Sequence, residues 1–154
     1  ELHYADHINK AAQETWGSDI PKDVLDIVFL TAKRHAHYTS ALCIDLLSGE
    51  TVPTSGDAFA AWARVVASNE DGLKAEFGKL PINDRKVIAQ IALADSPVKQ
   101  AQSDEFSKMS GVKMGSLGKA VKSLHAGDHI EKMDGGWRVV DPALEYLIRV
   151  DARS

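Results

Sequence analysis

Residues 103–142 read SDEFSKMSGVKMGSLGKAVKSLHAGDHIEKMDGGWRVVDP, and their punctuation decides the fold. Ser103 is placed to cap a short helix, with Asp104 and Glu105 at the favourable positive end of its dipole, and Gly111 closes it. From Met114 to Ala126, Leu117, Ala120, Val121 and Leu124 recur at helical spacing and predict a buried face. Gly127-Asp128 ends that helix. The runs His129–Met133 and Trp137–Val140 then flank Asp134-Gly135-Gly136, which reads as a hairpin with a glycine-containing turn. Asp141-Pro142 opens a last helix carrying Leu144, Leu147 and Ile148.

One helix precedes this stretch. Asn83 is expected to cap it, and it runs to about Leu93 with Val87, Ile88, Ile91 and Ala92 turned inward. Three helices followed by a two-stranded wing give the order of a winged helix-turn-helix over 81–154.

Residues 1–80 read differently. A first helix over 2–15 carries Leu2, Ile8, Ala11, Ala12 and Trp16 as a loose apolar stripe, and Gly17 to Pro21 forms a break. Pro21 suits the first turn of a second helix burying Val24, Leu25, Val28 and Ala32. A third runs from about Tyr38 to Leu47 and stops at Gly49. After a turn-rich 51–56, Phe59, Trp62, Val66, Leu73, Phe77 and Leu80 fall on one helical face, with a weak point at Asn69 to Gly72, and Pro81 ends the segment. The expected class is therefore mainly α: a helical bundle over 1–80, then the winged helix-turn-helix.

Bulk properties bound the function. The chain has 154 residues, a hydrophobic fraction of 44% and a charged fraction of 26%, which suits a globular protein. Its net charge of −4 divides unevenly. Residues 1–80 hold 7 Lys/Arg against 12 Asp/Glu, or −5, and residues 81–154 hold 11 against 10, or +1. Composition thus announces no strong nonspecific nucleic-acid binding. A lone cysteine, Cys43, permits no internal disulfide, and with no leader a cytoplasmic address is expected. The apolar run Val24–Leu30 contains Asp26 and is far too short to span a bilayer, so no membrane partner is expected. Starting at Glu1 rather than Met, the chain reads as a fragment of something longer or as a processed protein.

Two stretches resemble a known family. Residues 32–42, AKRHAHYTSAL, are similar to a Gly-His-Pro-Tyr-Tyr-Thr-Gln-Leu-like segment in the helical lid of archaeal and bacterial P-loop ATPases of the AAA+/STAND type. The run Leu80–Arg149 resembles the winged helix that follows such lids, and Asp141 to Arg149 resembles their Asp-Pro-aromatic tail. The resemblance implies a C-terminal regulatory region whose ATPase domain, with its ATP and magnesium, lies upstream. Where the family's lid carries its glycine and proline, this chain has Arg34 and Ala36. No G-x-x-x-x-G-K-[ST] loop occurs in the chain, so no cofactor and no ATP hydrolysis are expected of these residues.

The candidate binding surface is the outer side of the Met114–Ala126 helix. Gly115, Ser116, Lys119, Lys122 and Ser123 lie there, where small residues permit close approach and lysines neutralise phosphates. Lys113 at its entrance, with Lys132 and Arg138 on the wing, extends that surface. Against it stand Asp128, Glu131 and Asp134 nearby, and the helix has no Arg, Asn or Gln for bidentate base reading. The same lysines also suit a merely solvated helix.

Other candidates are weaker. His3 and His7 share a helix face with metal-pair spacing but lack a third ligand, and solvated histidines are the simpler reading. His35 and His37 point apart and read as junction residues. Arg34 reads as a charge sensor or, more simply, a surface residue. Cys43 reads as a small buried hydrophobe, and Trp16, Trp62 and Trp137 as packing anchors. No Ser/His/carboxylate set or carboxylate pair supports an enzyme.

Three functions remain in view. The chain is a regulatory module binding DNA or a protein partner, a protein–protein scaffold, or a free-standing dimeric DNA-binding regulator using the Phe59–Leu73 stripe.

Overall fold

A computed structural model describes residues 2–154, with side chains from Tyr4 onward. The described residues are 70% helical and form eight helices and one antiparallel hairpin. In order they are α1 (Leu2–Trp16), α2 (Lys22–Ala32), α3 (Ala36–Leu47), α4 (Ser55–Lys79), α5 (Ile82–Leu93), α6 (Asp104–Ser110), α7 (Met114–Ala126), β1 (Ile130–Met133), β2 (Gly136–Val139) and α8 (Pro142–Arg153). None of these helices is long and apolar enough to cross a membrane. The chain divides into two compact units, ending and beginning at Asn69 and Glu70.

The first unit packs apolar faces. Val24, Val28 and Ala32 of α2, Leu42 and Leu46 of α3, and Ala61, Trp62 and Val66 of α4 are all buried. Tyr38 meets the Trp62 ring edge-on, with centroids 5.7 Å apart, an arrangement that suits the ring quadrupoles. Trp16 is half-buried and ties the end of α1 by donating from Nε1 to the Gly49 carbonyl at 2.9 Å. Between α2 and α3, Lys33 (φ 47°) and Arg34 (φ 60°) both hold the left-handed conformation, uncommon for residues with a side chain.

Helix α4 runs unbroken through Asn69 to Gly72, the weak point of the expected face, because one glycine costs only about 1 kcal/mol in a helix interior. The expected face itself is corrected. The buried face of α4 in the first unit is set by Ala58, Ala61, Trp62, Val65 and Val66, which rotates Phe59 outward to 52% exposure. With Trp62 and Val66 covered inside the unit, the stripe expected to serve a dimer is not presented as such.

The second unit surrounds one core. Val87, Ile88 and Ile91 of α5, Phe106 of α6, Leu117, Val121 and Leu124 of α7, Ile130 and Val139 of the hairpin, and Leu144 of α8 form it. Leu73, Phe77 and Leu80 pack against this core, so the division at Asn69–Glu70 falls inside α4 rather than at the 80/81 break read from the sequence. At α5 the N-cap is Pro81 (φ −53°, ψ 149°), whose carbonyl accepts from Arg85 N at 3.0 Å. Asn83, expected to be the cap, is exposed in the first turn. Three other caps form as read. Ser103 Oγ accepts from Phe106 N at 3.1 Å, and Gly111 (φ 67°) closes α6. Asp141 Oδ1 accepts from Ala143 N and Leu144 N at 2.8 and 3.0 Å.

The hairpin pairs Ile130 with Val139 and Met133 with Gly136, leaving a two-residue turn of Asp134 (φ 50°) and Gly135 (φ 76°). Positive φ at both positions matches strand twist. Gly136 therefore belongs to β2, and its need is steric. A Cβ there would lie 2.7 Å from the Pro97 backbone. That close approach brings Val98 beside Trp137, and they exchange two backbone hydrogen bonds of 2.9 Å each. The linker between α5 and α6 thus adds a third, one-residue strand to the hairpin.

Candidate nucleic-acid interface

α7 is fixed from within. Leu117 and Leu124 are fully buried and Ala120 and Val121 nearly so, which leaves the opposite side facing out. The turn leading into it is held by Ser107 Oγ, which donates to the Val112 carbonyl at 2.7 Å. A polar contact joins α7 to α5: Ser123 Oγ donates to Oδ2 of the buried Asp84 at 2.7 Å. A buried carboxylate needs such a partner, since leaving it unsatisfied costs about 1–3 kcal/mol or more.

The seven residues expected to bind nucleic acid divide by this geometry. Lys119 and Lys122 are exposed on the outer face, one turn apart, with the half-buried Ser116 alongside. Lys113 is exposed at the N-cap, where its side chain caps nothing. Ser123 is committed to Asp84 and so orients the helix. Arg138 is committed too: its Nε lies 2.7 Å from Oε1 of Glu131, the residue directly opposite it in the hairpin, and Nη2 meets the same oxygen. That pair neutralises one of the three acids expected to oppose a phosphate backbone, while Asp128 and Asp134 stay exposed. Lys132 is exposed, with Nζ 5.3 Å from the centre of the Trp137 ring. α7 itself carries two lysines and no carboxylate.

Sequence reading missed the residues beside this surface. The Gln102 side chain lies against Gly118 of α7, where a Cβ would sit 3.3 Å from Gln102 Oε1. An open groove of about 490 Å³ runs between the linker and the hairpin, lined by Lys99, Gln100, Gln102, Ser103, Lys132 and Trp137. The glycine at 118 is the signal for this approach, though alone it names no partner. Arg149 was also missed: Nε and Nη2 donate to the Ala92 and Ala94 carbonyls, both at 2.7 Å, and close the end of α5.

The remaining candidates settle plainly. His3 lies outside the described side chains, and His7 is exposed. His35 and His37 are exposed and flank Tyr38, with ring centroids 5.0 and 5.1 Å from it. Cys43 is buried, and desolvation pushes its thiol up to about 11, far from thiolate reactivity. Trp137 is half-buried and meets the His125 ring edge at 5.1 Å. Among the described residues, no group of His, Cys, Asp and Glu is arranged to hold a metal ion.

No family model, curated protein or solved structure matches this chain.

Proposed function

We propose that residues 70–154 form a winged helix-turn-helix that binds duplex nucleic acid through the outer face of α7, as part of the non-catalytic C-terminal region of a P-loop ATPase. The observation that carries this is the charge of α7. Its outward side holds Lys119 and Lys122, small residues beside them and no carboxylate, on a helix whose inward side is locked in a core. The isolated bridge at Val98–Trp137 supports the winged-helix reading, because it ties the linker ahead of α6 to the wing. With no Arg, Asn or Gln on α7, the contact is to phosphates rather than base edges.

The lid reading of the first unit draws support from Arg34. It holds φ 60°, which glycine adopts freely, at the position where the resembling segment carries glycine. A protein partner is the second reading, favoured by Met109, Met114 and Met133, which are 59%, 46% and 42% exposed.

Binding to a labelled mixed-sequence duplex at low and moderate salt tests the proposal. The expected result is binding that weakens steeply with salt and is lost in Lys119→Glu/Lys122→Glu. Absence of binding at low salt would end the nucleic-acid reading and leave the protein partner.

A further inference from the structure

We propose that the groove between the linker and the hairpin carries a phosphodiester backbone onward from α7, so that the duplex is held along two tracks. This rests on the nucleic-acid reading above. The first support is the chemistry of the walls. Lys99, Lys132, Gln100, Gln102 and Ser103 all supply hydrogen-bond donors, and no carboxylate lines the groove among the described residues. Glu131 of the same hairpin is already neutralised by Arg138.

The second support is that the groove is built rather than left by a loose loop. Its linker wall is fixed by the paired hydrogen bonds between Val98 and Trp137 and by the close seating of Pro97 on Gly136. Lys132 stands over the Trp137 ring, a placement that holds a cation at the rim with little loss of freedom on binding. The third support is continuity. Gln102 lies against Gly118, one helical turn before Lys122, so the donors of the groove adjoin those of α7. An open trough of spaced cations and amides suits a continuous polyanion better than a single enclosed anion.

The test uses the full chain and the same labelled duplex, comparing the parent with Lys99→Gln/Lys132→Gln and with Lys119→Glu/Lys122→Glu across a salt series. Far-UV circular dichroism and melting temperature establish that the exposed substitutions leave the fold intact. The groove variant is expected to bind about tenfold more weakly on every sequence, with a salt slope shallower by roughly 2, one for each phosphate-neutralising lysine removed. Unchanged affinity and slope in that variant, beside lost binding in the α7 variant, would overturn the groove while leaving the α7 reading intact. Loss in the groove variant alone would overturn the two-track reading, since the α7 lysines would then carry no part of the contact. No binding by the parent at low salt would overturn both. Displacement of the duplex by polyglutamate as effectively as by unlabelled duplex would assign the groove to an acidic protein segment and overturn the phosphodiester.

Discussion

The two units hold themselves together by different means. In the first, apolar faces supply the core, and several polar contacts between distant residues lie at the surface. Tyr4 Oη meets Ser40 Oγ at 2.7 Å, Arg64 pairs with Asp45, and Ser55 donates to Asp23, all exposed. In the second, the corresponding contacts are partly buried: Ser123 to Asp84 and Arg149 to the α5 carbonyls. Surface polar pairs contribute little because water competes for both partners, whereas buried ones fail expensively when one partner is removed. The lesson is that apolar packing sets how tightly a unit is held, and buried polar contacts set how one of its faces is aimed.

The sharpest way to break this contrast is Gly136→Ala. Its Cβ would lie 2.7 Å from backbone atoms of Pro97, which cannot swing aside as a side chain can. A loss of about 2 kcal/mol is expected in urea unfolding, with the Val98 amide losing hydrogen-exchange protection. A stable variant with Val98 still protected would show that the Val98–Trp137 bridge does not depend on this seating.

Next in size is Ser123→Ala, expected to cost about 1.5 kcal/mol because it strips the hydroxyl partner from buried Asp84. Tyr4→Phe, which removes an exposed contact of the same length, should leave the unfolding midpoint unchanged. Equal effects from the two substitutions would erase the distinction between the units.

The smallest effect concerns pH in the first unit. Desolvation raises the Cys43 thiol from 9.0 to about 11, so over that interval the unfolded chain loses a proton that the folded chain keeps. Stability therefore falls as pH rises between those values, by about 1 kcal/mol from pH 8 to pH 10. In Cys43→Ala this part of the pH dependence should vanish, and its persistence would point to another group.

Much of this architecture was legible because it is written locally. The Ser103, Gly111 and Asp141-Pro142 signals each act within a turn of where they stand, and the α7 face repeats often enough to fix its bounds. What escaped was either nonlocal or a contest between near-equal signals. Val98 pairs with a residue in another element through one rung, too short for any periodicity to register. Asp84 and Ser123 meet only after α5 and α7 have packed. Asn83 lost the cap to Pro81, whose fixed φ already suits a helix entrance. At the candidate site, Lys119 and Lys122 could be read from the helix alone. Lys99 and Gln102 sit in a linker without repeat, and only the fold brings Lys99 to the groove by the hairpin and Gln102 against Gly118 of α7.

Arg149 carries a consequence for the order in which the chain is made. The carbonyls that close α5 wait for a guanidinium more than fifty positions later, since Arg149 bonds residues 57 and 55 places before it. During synthesis, α5 emerges with its carboxyl end open to water and stays so until Arg149 has cleared the ribosome. The end of α5 is therefore closed only once α8 has been made and has returned to it.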